Sequence, residues 1–314
     1  MILITGGAGF IGSNTNRCLN ALGYRTLVFD NFSKGSKKAV ENTPFIEGDL
    51  RDRKQLKSLF ENHDIQAVMH FAALTDVGES CTNPQLYFDV NAEGSLNLLE
   101  AMIASGVKQI IFSSTAAVYG HPEKQPIKET DTISPINPYG QSKWEVEKML
   151  KELSDKKVIT ATSFRYFNAA GGDPEGRQKN YKNEENNLIP LILRAIKNNT
   201  PLSVYGDDWP TSDGTCVRDY IHVEDLALAH ILALKERASD TYNLGNGSGF
   251  SVKEVIQAAE NALNRPIKWK AGPKRAGDPP VLVADSTKAQ EKLKWKPKFP
   301  GLEKMILDAW RALP

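Results

Sequence analysis

Tyr139 and Lys143 open and close the run Tyr139-Gly140-Gln141-Ser142-Lys143, a spacing that on a helix sets a phenol and an ammonium on one face. Such a pair suits proton transfer. A free phenol has a pKa of about 10, so a base working near pH 7 needs a fall of about 2–3 units. A cation about 6 Å away, at an effective dielectric of about 20, contributes roughly 3 kcal/mol toward it, and the positive ring of an oxidised nicotinamide would add to that. Of the nine tyrosines only Tyr139 has lysine at the fourth position after it. With 39 Lys and Arg in 314 residues, however, about one basic match is expected by chance. Context has to decide, and two further motifs supply it.

The stretch 110–119 reads as a strand that ends in the hydroxyl-rich Ser113-Ser114-Thr115. Thr115 at that turn can hydrogen-bond the substrate oxygen that Tyr139 deprotonates, while Lys143 can also bond the nicotinamide ribose and so couple the base to a cofactor. The second motif is Gly6-Gly7-Ala8-Gly9-Phe10-Ile11-Gly12, which satisfies G-x-G-x-x-G and G-x-x-G-x-x-G at once. Gly6, Gly9 and Gly12 permit a tight turn, close approach of a pyrophosphate to backbone amides, and tight helix–strand packing. Asp30, at the end of the next apolar run, is placed to accept hydrogen bonds from a ribose and to repel a 2′-phosphate. NAD is therefore expected rather than NADP, with Lys34, Lys37 and Lys38 just downstream read as a solvated loop.

These residues need a scaffold that alternates strand and helix. Short apolar runs at 2–5, 26–30, 44–47, 67–71, 109–113 and 158–164 suit buried parallel strands, and 10–22, 53–62, 90–105 and 139–153 carry helical spacing between them. That rhythm predicts an α/β fold with a Rossmann-type doubly wound parallel sheet. From Asn168 the texture turns polar and glycine-rich, which marks a second, smaller α/β region for substrate. The expected division is 1–168 for the cofactor and 169–314 for a substrate, with 217–246 packing back onto the first part. In the second region helices are expected at 188–198, 223–237 and 251–264, the last with a Ser251/Glu254 capping box, and a strand at 241–244. The proline-rich tail from Lys268 reads as loop with short elements.

Composition closes off other classes. A chain with 40% hydrophobic and 25% charged residues is ordinary globular protein. A net charge of +1 argues against a nucleic-acid polymer as partner. Cys18, Cys81 and Cys216 form no CxxC pair, so neither a structural metal nor a disulfide framework is expected and a cytoplasmic setting fits. The N-terminal run lacks the basic flank of a signal peptide, and no window approaches 18 uncharged apolar residues, so no membrane partner is expected.

The ordered set of motifs resembles the extended short-chain dehydrogenase/reductase family over nearly the whole chain, and within it the branch that epimerises nucleotide sugars. The residues that carry the likeness are the glycine turn, Asp30, Gly48-Asp49-Leu50, His70-Phe71-Ala72-Ala73, Asn91, Ser113-Ser114-Thr115, Tyr139 with Lys143, and Arg165-Tyr166-Phe167-Asn168. The most specific are Asp213-Gly214-Thr215-Cys216-Val217-Arg218-Asp219-Tyr220 and Lys274-Arg275-Ala276-Gly277-Asp278. The resemblance implies that Asp49 and Leu50 border the adenine and that Phe71, Ala72 and Ala73 flank the pyrophosphate. It adds Phe10, Ile11, Asn31, Asn91, Ser113 and Tyr166 to the NAD pocket. It implies that Phe167, Asn168, Asn187 and Leu188 meet the sugar side and that Ser203, Val204 and Tyr205 flank a uracil. Arg218, Arg275 and Asp278 would hold the diphosphate and ribose, and two planar guanidinium forks are chemically suited to that. Leu282 falls where the family varies side-chain size to gate the sugar, and a leucine there leaves room for an N-acetyl group. The implied reaction inverts C4 of a UDP-hexose through a transient 4-keto sugar, in a homodimer paired through the helices at 90–105 and 139–153. A 4,6-dehydratase, a decarboxylase and a non-catalytic NAD-binding protein are the alternatives. Related dehydratases carry Asp-Glu after the threonine, where this chain has Ala116 and Ala117.

Overall fold

Residues 1–181, 186–275 and 278–314 are described by the computed structural model; Ala276 and Gly277 of the second specific motif lie outside the described residues. The first part begins β1 (Ile2–Thr5), α1 (Phe10–Ala21), β2 (Thr26–Asp30), β3 (Phe45–Glu47), α2 (Arg53–Asn62) and β4 (Ala67–His70). Two short helices, α3 (Val77–Thr82) and α4 (Pro84–Tyr87), lead through a wide helical turn at Phe88–Glu93 into α5 (Gly94–Ala104). Then come β5 (Gln109–Thr115), α6 (Pro138–Asp155) and β6 (Thr160–Tyr166).

Side chains along β1 explain the layering. Successive strand residues face opposite ways, and here Ile2 and Ile4 enter one apolar cluster while Leu3 enters the other. β2 does the same, with Val28 on the first side and Leu27 and Phe29 on the second. A strand buried on both faces must be covered on both, which is what the flanking helices do.

The chain continues with β7 (Asn168–Ala170), α7 (Leu188–Asn198), β8 (Leu202–Tyr205), β9 (Val217–His222), α8 (Val223–Glu236) and β10 (Asp240–Leu244). It ends with β11 (Gly249–Ser251), α9 (Val252–Leu263), β12 (Trp269–Gly272), β13 (Val281–Leu282), α10 (Thr287–Lys292) and α11 (Leu302–Arg311). The main sheet has seven strands in the order β3-β2-β1-β4-β5-β6-β10, all parallel. It is a Rossmann-type doubly wound sheet, and its strand order reverses between β1 and β4, where such sheets open a crevice for ligand.

The remaining strands build a second layer. β9 pairs with β7, β11 and β13, and β8 pairs with β12. Helices α7, α9 and α11 cover a separate core of Ile189, Ile192, Leu193, Val255, Ile256, Met305 and Ile306. Val217–His222 therefore belongs to this small sheet, and the stretch that rejoins the main sheet begins at Val223 rather than Val217: α8 packs on α1 and β10 becomes the edge beside β6. The tail also differs from expectation, since Leu302–Arg311 is a ten-residue amphipathic helix whose Leu302, Met305 and Ile306 are buried. Ser251 and Glu254 do form the capping box at α9.

Candidate active site

The end of β5 carries three consecutive hydroxyl residues, and each does something different. The carbonyl of Ser113 accepts a hydrogen bond from Lys143 Nζ at 2.8 Å, and its side chain takes the hydroxyl of Tyr166. Ser114 donates to the carboxylate of Glu147. Thr115 is the hydrogen-bond partner of the Tyr139 phenol and also accepts from the amide of Ala117 at 3.1 Å. Tyr139, Lys143 and Thr115 are thus brought together.

Helix α6 delivers them. Pro138 occupies its first position and the Asn137 side chain caps it by accepting from Gly140 N–H at 2.8 Å. A Cβ on Gly140 would stand 2.6 Å from the carbonyl oxygen of Ala117, so only glycine lets the helix start this close to the turn after β5. Tyr139, Ser142, Lys143, Val146, Glu147 and Leu150 then form the buried face.

Burial governs the titration here. It pushes the Tyr139 phenol upward, with the Thr115 bond opposing, and it lowers Lys143 to about 7 while Glu147 raises it. The expected lowering of the phenol is not a property of these side chains alone, because a buried site penalises the phenolate. A positive charge arriving beside Tyr139 is what remains to bring it down. Lys143 also lies 4.7 Å from the centre of the Phe112 ring, and buried His70 beside it is held to about 3 by burial and then by Lys143.

A groove at the strand-order reversal is lined by Gly6, Gly9, Asp30, Asn31, Asp49, Leu50, Phe71, Ala72 and Ala73, all expected from sequence, and by Ser33, Lys34 and Gly35. Gly6 has a positive φ of 69°, and a Cβ there would stand 2.4 Å from the Ala72 amide nitrogen. The two loops therefore meet backbone to backbone. Among the described residues no side chain caps α1, which leaves the first-turn amides around Phe10, Ile11 and Gly12 available to an anion. Asp30 is buried and already receives the Ala8 and Phe32 amides at 2.9 and 2.8 Å; its remaining lone pairs can take ribose hydroxyls. Burial pushes its pKa up. Asn31 donates to Asp49 at 2.9 Å, and Arg51 holds the Asp49 carboxyl well below the usual range. The residues present fit NAD: an open helix start and close-packed glycines for the pyrophosphate, and an acidic strand end for the ribose. Lys37 pairs with Glu47 and Lys38 sits over Tyr181, in keeping with a solvated loop.

Two expected members of this pocket sit behind its wall. Asn91 is buried, exchanging hydrogen bonds with both the amide and the carbonyl of Leu74 at 2.8 and 3.0 Å and donating to Ser142 at 3.0 Å. It ties the 71–74 loop to α6. Tyr166 turns its hydroxyl into Ser113, where burial drives its pKa far up.

On the other side of the strand ends a second pocket is lined by Asn168, Asn187, Leu188, Ser203, Val204, Tyr205, Arg218, Arg275 and Asp278, together with Cys216, Tyr220 and Val252. Arg218 is 3.8 Å from Asp278, and the Arg275 guanidinium lies 4.0 Å from the Tyr205 ring centre. Two cations therefore face one carboxylate, an excess of positive charge suited to a diphosphate. Phe167 and Leu282 do not line this pocket; they pack on Ala116, Val118, Tyr119 and Ile127 between it and the turn after Thr115. A larger cavity of about 540 Å³ opens behind, sharing Ala169, Asn187, Ile189 and Pro190 with the arginine pocket, and Phe10 faces it.

Sequence reasoning missed the polar cluster beneath Tyr139 and Lys143. Glu147 and Arg165 form an ion pair at 2.6 Å with both side chains buried, and Arg165 also donates to the Tyr119 hydroxyl at 2.9 Å. The signal was Glu147, four residues after Lys143 on the same helical face.

Residues 2–245 match the NAD dependent epimerase/dehydratase family. The chain is 46% identical to the UDP-glucose 4-epimerase of Halalkalibacterium halodurans, over 98% of this chain and 94% of that protein. Its fold is similar to the UDP-glucose 4-epimerase of Bifidobacterium longum solved with NAD+ and UDP, with a TM-score of 0.95 at 37% identity, covering 99% and 97% of the two chains. It is also similar to the UDP-Glc/GlcNAc 4-epimerase of Campylobacter jejuni, with a TM-score of 0.85 at 40% identity, covering 98% and 97%.

Proposed function

The chain belongs to the NAD dependent epimerase/dehydratase family, and from that premise we propose that it is an NAD-dependent isomerase with UDP-glucose 4-epimerase activity. The observation that carries the reading is the Tyr139–Thr115 pair at the end of β5, standing between a groove fit for NAD and a two-arginine pocket fit for a diphosphate. Bound NAD supplies reversible hydride acceptance from C4′. Tyr139 takes the proton of the 4′-hydroxyl, with Thr115 bonding the same oxygen so that it faces the phenol. Lys143 anchors to the Ser113 carbonyl and, in its protonated form, places a positive charge beneath the site. Arg218 and Arg275 grip the diphosphate while the 4-keto sugar turns about it and presents its other face. Tyr139 then returns the proton, and no net oxidation results.

In this reading 1–168 carries the cofactor and 169–314 the nucleotide sugar. Gly6, Gly9 and Gly12, with the amides of Phe10 and Ile11, hold the pyrophosphate. Asp30 and Asn31 hold the ribose, and Asp49 and Leu50 the adenine. Asn168, Asn187 and Leu188 meet the sugar, while Ser203, Val204 and Tyr205 flank the uracil. Leu282, beside Phe167, is short enough to leave room for an N-acetyl group. The active form is a cytoplasmic homodimer paired through α5 and α6, and the exposed Leu96 on α5 is the kind of side chain such a contact covers. Light scattering gives the solution mass.

The deciding experiment incubates purified protein with UDP-galactose, and separately with UDP-GlcNAc, without added NAD. UDP-glucose of unchanged mass is the expected product of the first. Loss of water would instead reveal a dehydratase, and loss of carbon dioxide from UDP-glucuronate in a parallel incubation would reveal a decarboxylase. Ala116 and Ala117 offer no acid or base for elimination.

A further inference from the structure

Beneath the catalytic face lies a buried ionic cluster that the reaction as described leaves without a task. Glu147 follows Lys143 by one helical turn on the inward side of α6, and its side chain is 4% exposed. Its carboxylate receives the Ser114 hydroxyl and the Arg165 guanidinium, Nε at 3.0 and 3.1 Å and Nη2 at 2.6 Å. Arg165 is further held by Tyr119, whose hydroxyl passes a bond of 2.7 Å to Asn243. The cluster therefore fixes β5, β6, β10 and α6 to one another at one level of the sheet. Removing two charges from water is costly, and an apolar set of the same volume would often hold the fold as well. Something other than stability is a better reason for this one.

We propose that Glu147 is a positioning residue for the reaction: through Ser114 it fixes the end of β5, and it places a buried carboxylate one helical turn from Lys143. Ser114 lies between the two residues that hold the machinery, Ser113 bonding Lys143 through its carbonyl and Thr115 bonding Tyr139. Pinning the middle of that tripeptide pins both. The electrostatic half follows from what surrounds Lys143. The titratable and charged groups there are Tyr139 and Glu147 on its own helix, His70 on β4, Tyr166 and Arg165 on β6, and Tyr87 on α4. His70 is held neutral, the three phenols are pushed up toward their neutral forms, and Glu147 is the group that opposes burial at Lys143. Without that carboxylate the ammonium loses its proton at lower pH, and the site loses the cation under the phenol.

The inference rests on the epimerase reading, but its main readout does not. Lysine labelled with 15N in the NAD-loaded protein, with the Lys143 resonance identified by its absence in Lys143→Met, gives the Lys143 titration with no sugar present. Glu147→Gln keeps the side-chain volume and the bond to Ser114 while removing the charge. Its Lys143 midpoint is expected to fall by about one pH unit or more, with the alkaline limb of the turnover profile moving the same way. Ser114→Ala leaves the ion pair intact; it is expected to lower kcat about tenfold at unchanged KM and unchanged Lys143 titration. A folded Glu147→Gln protein with an unmoved Lys143 titration would overturn the proposal. If Glu147→Gln does not fold, Ser114→Ala decides alone, and wild-type kcat there overturns it. A wild-type chain that fails to interconvert UDP-hexoses, while Glu147→Gln still moves the Lys143 titration, would refute the reaction and support the role of Glu147.

Discussion

Tyr139 is the residue on which the proposed chemistry turns, and its environment makes a sharp demand. Burial raises the phenol, so the protein alone keeps it protonated. A base that is off until a cation arrives is protected from idle titration, and its activity is tied to the loaded state. Tyr139→Phe is expected to cut turnover by about 10³-fold or more while the purified protein still carries NAD, measured by its absorbance after denaturation. Arg275→Ala is expected to raise KM for UDP-galactose about 10–100-fold with kcat little changed, because a diphosphate contact serves ground and transition states alike. A fall in kcat at constant KM would place Arg275 elsewhere in the cycle. The glycine turn and the Tyr–Lys spacing could be read from the sequence, since each has a local chemical signature, whereas Arg218 and Arg275, far apart in the chain, entered only through the family resemblance. That the side chains of Asn91 and Tyr166 turn into Leu74 and Ser113 was not legible, because no spacing encodes it.

At the scale of elements, the six early strands and most helices were legible, five of the strands because they are buried along their length, while β3 is an exposed edge strand read from its apolar Phe45 and Ile46. β9 was not, since Val217-Arg218-Asp219-Tyr220-Ile221-His222 mixes charge into a strand whose Asp219 is wholly buried on the amides of Asn246, Gly247 and Ala284. α11 was hidden by the prolines around it, although Leu302, Met305 and Ile306 carry the helical period. Two element-level tests follow from local geometry. Ser251→Ala removes the cap of α9 and should lower stability by about 1 kcal/mol in denaturant melts, with KM unaffected. Gly140→Ala forces α6 away from Ala117, and a shift of under an ångström at Tyr139 should cost about tenfold or more in kcat while the far-UV spectrum stays unchanged. Normal turnover in that variant would mean that the close approach has no catalytic purpose.

Across the whole molecule, three histidines set the response to acid. Burial is the first cause holding His70 to about 3 and His222 and His230 to about 4, each below its value in an unfolded chain. Below about pH 6.5 the unfolded state binds more protons at these sites, so stability is present above that pH and drains away as pH falls toward 4. Asp219 acts the other way: burial raises it to about 6, so it adds stability as pH falls through that value. Burial also raises Asp30, Glu129 and Asp225, which act as Asp219 does, but the unfolded histidines take up their protons inside this window and the melting temperature should drop between pH 7 and pH 5. His230→Leu should make that drop shallower; an identical slope would show that His230 is not one of the groups responsible.

The edge position of β10 has a temporal consequence. A nascent chain presents residues in order, and β6 is complete long before Asp240–Leu244 exists to pair with it. Until then β6 waits with one row of amides and carbonyls unpaired, and the flank of α1 that α8 will cover is bare. The first half thus cannot finish folding on the ribosome and must be shielded while some seventy more residues are made, roughly 4–14 s at about 5–20 residues per second. A fragment ending at Asn168 should accordingly aggregate when expressed alone and recover solubility when 223–244 is supplied in the same chain.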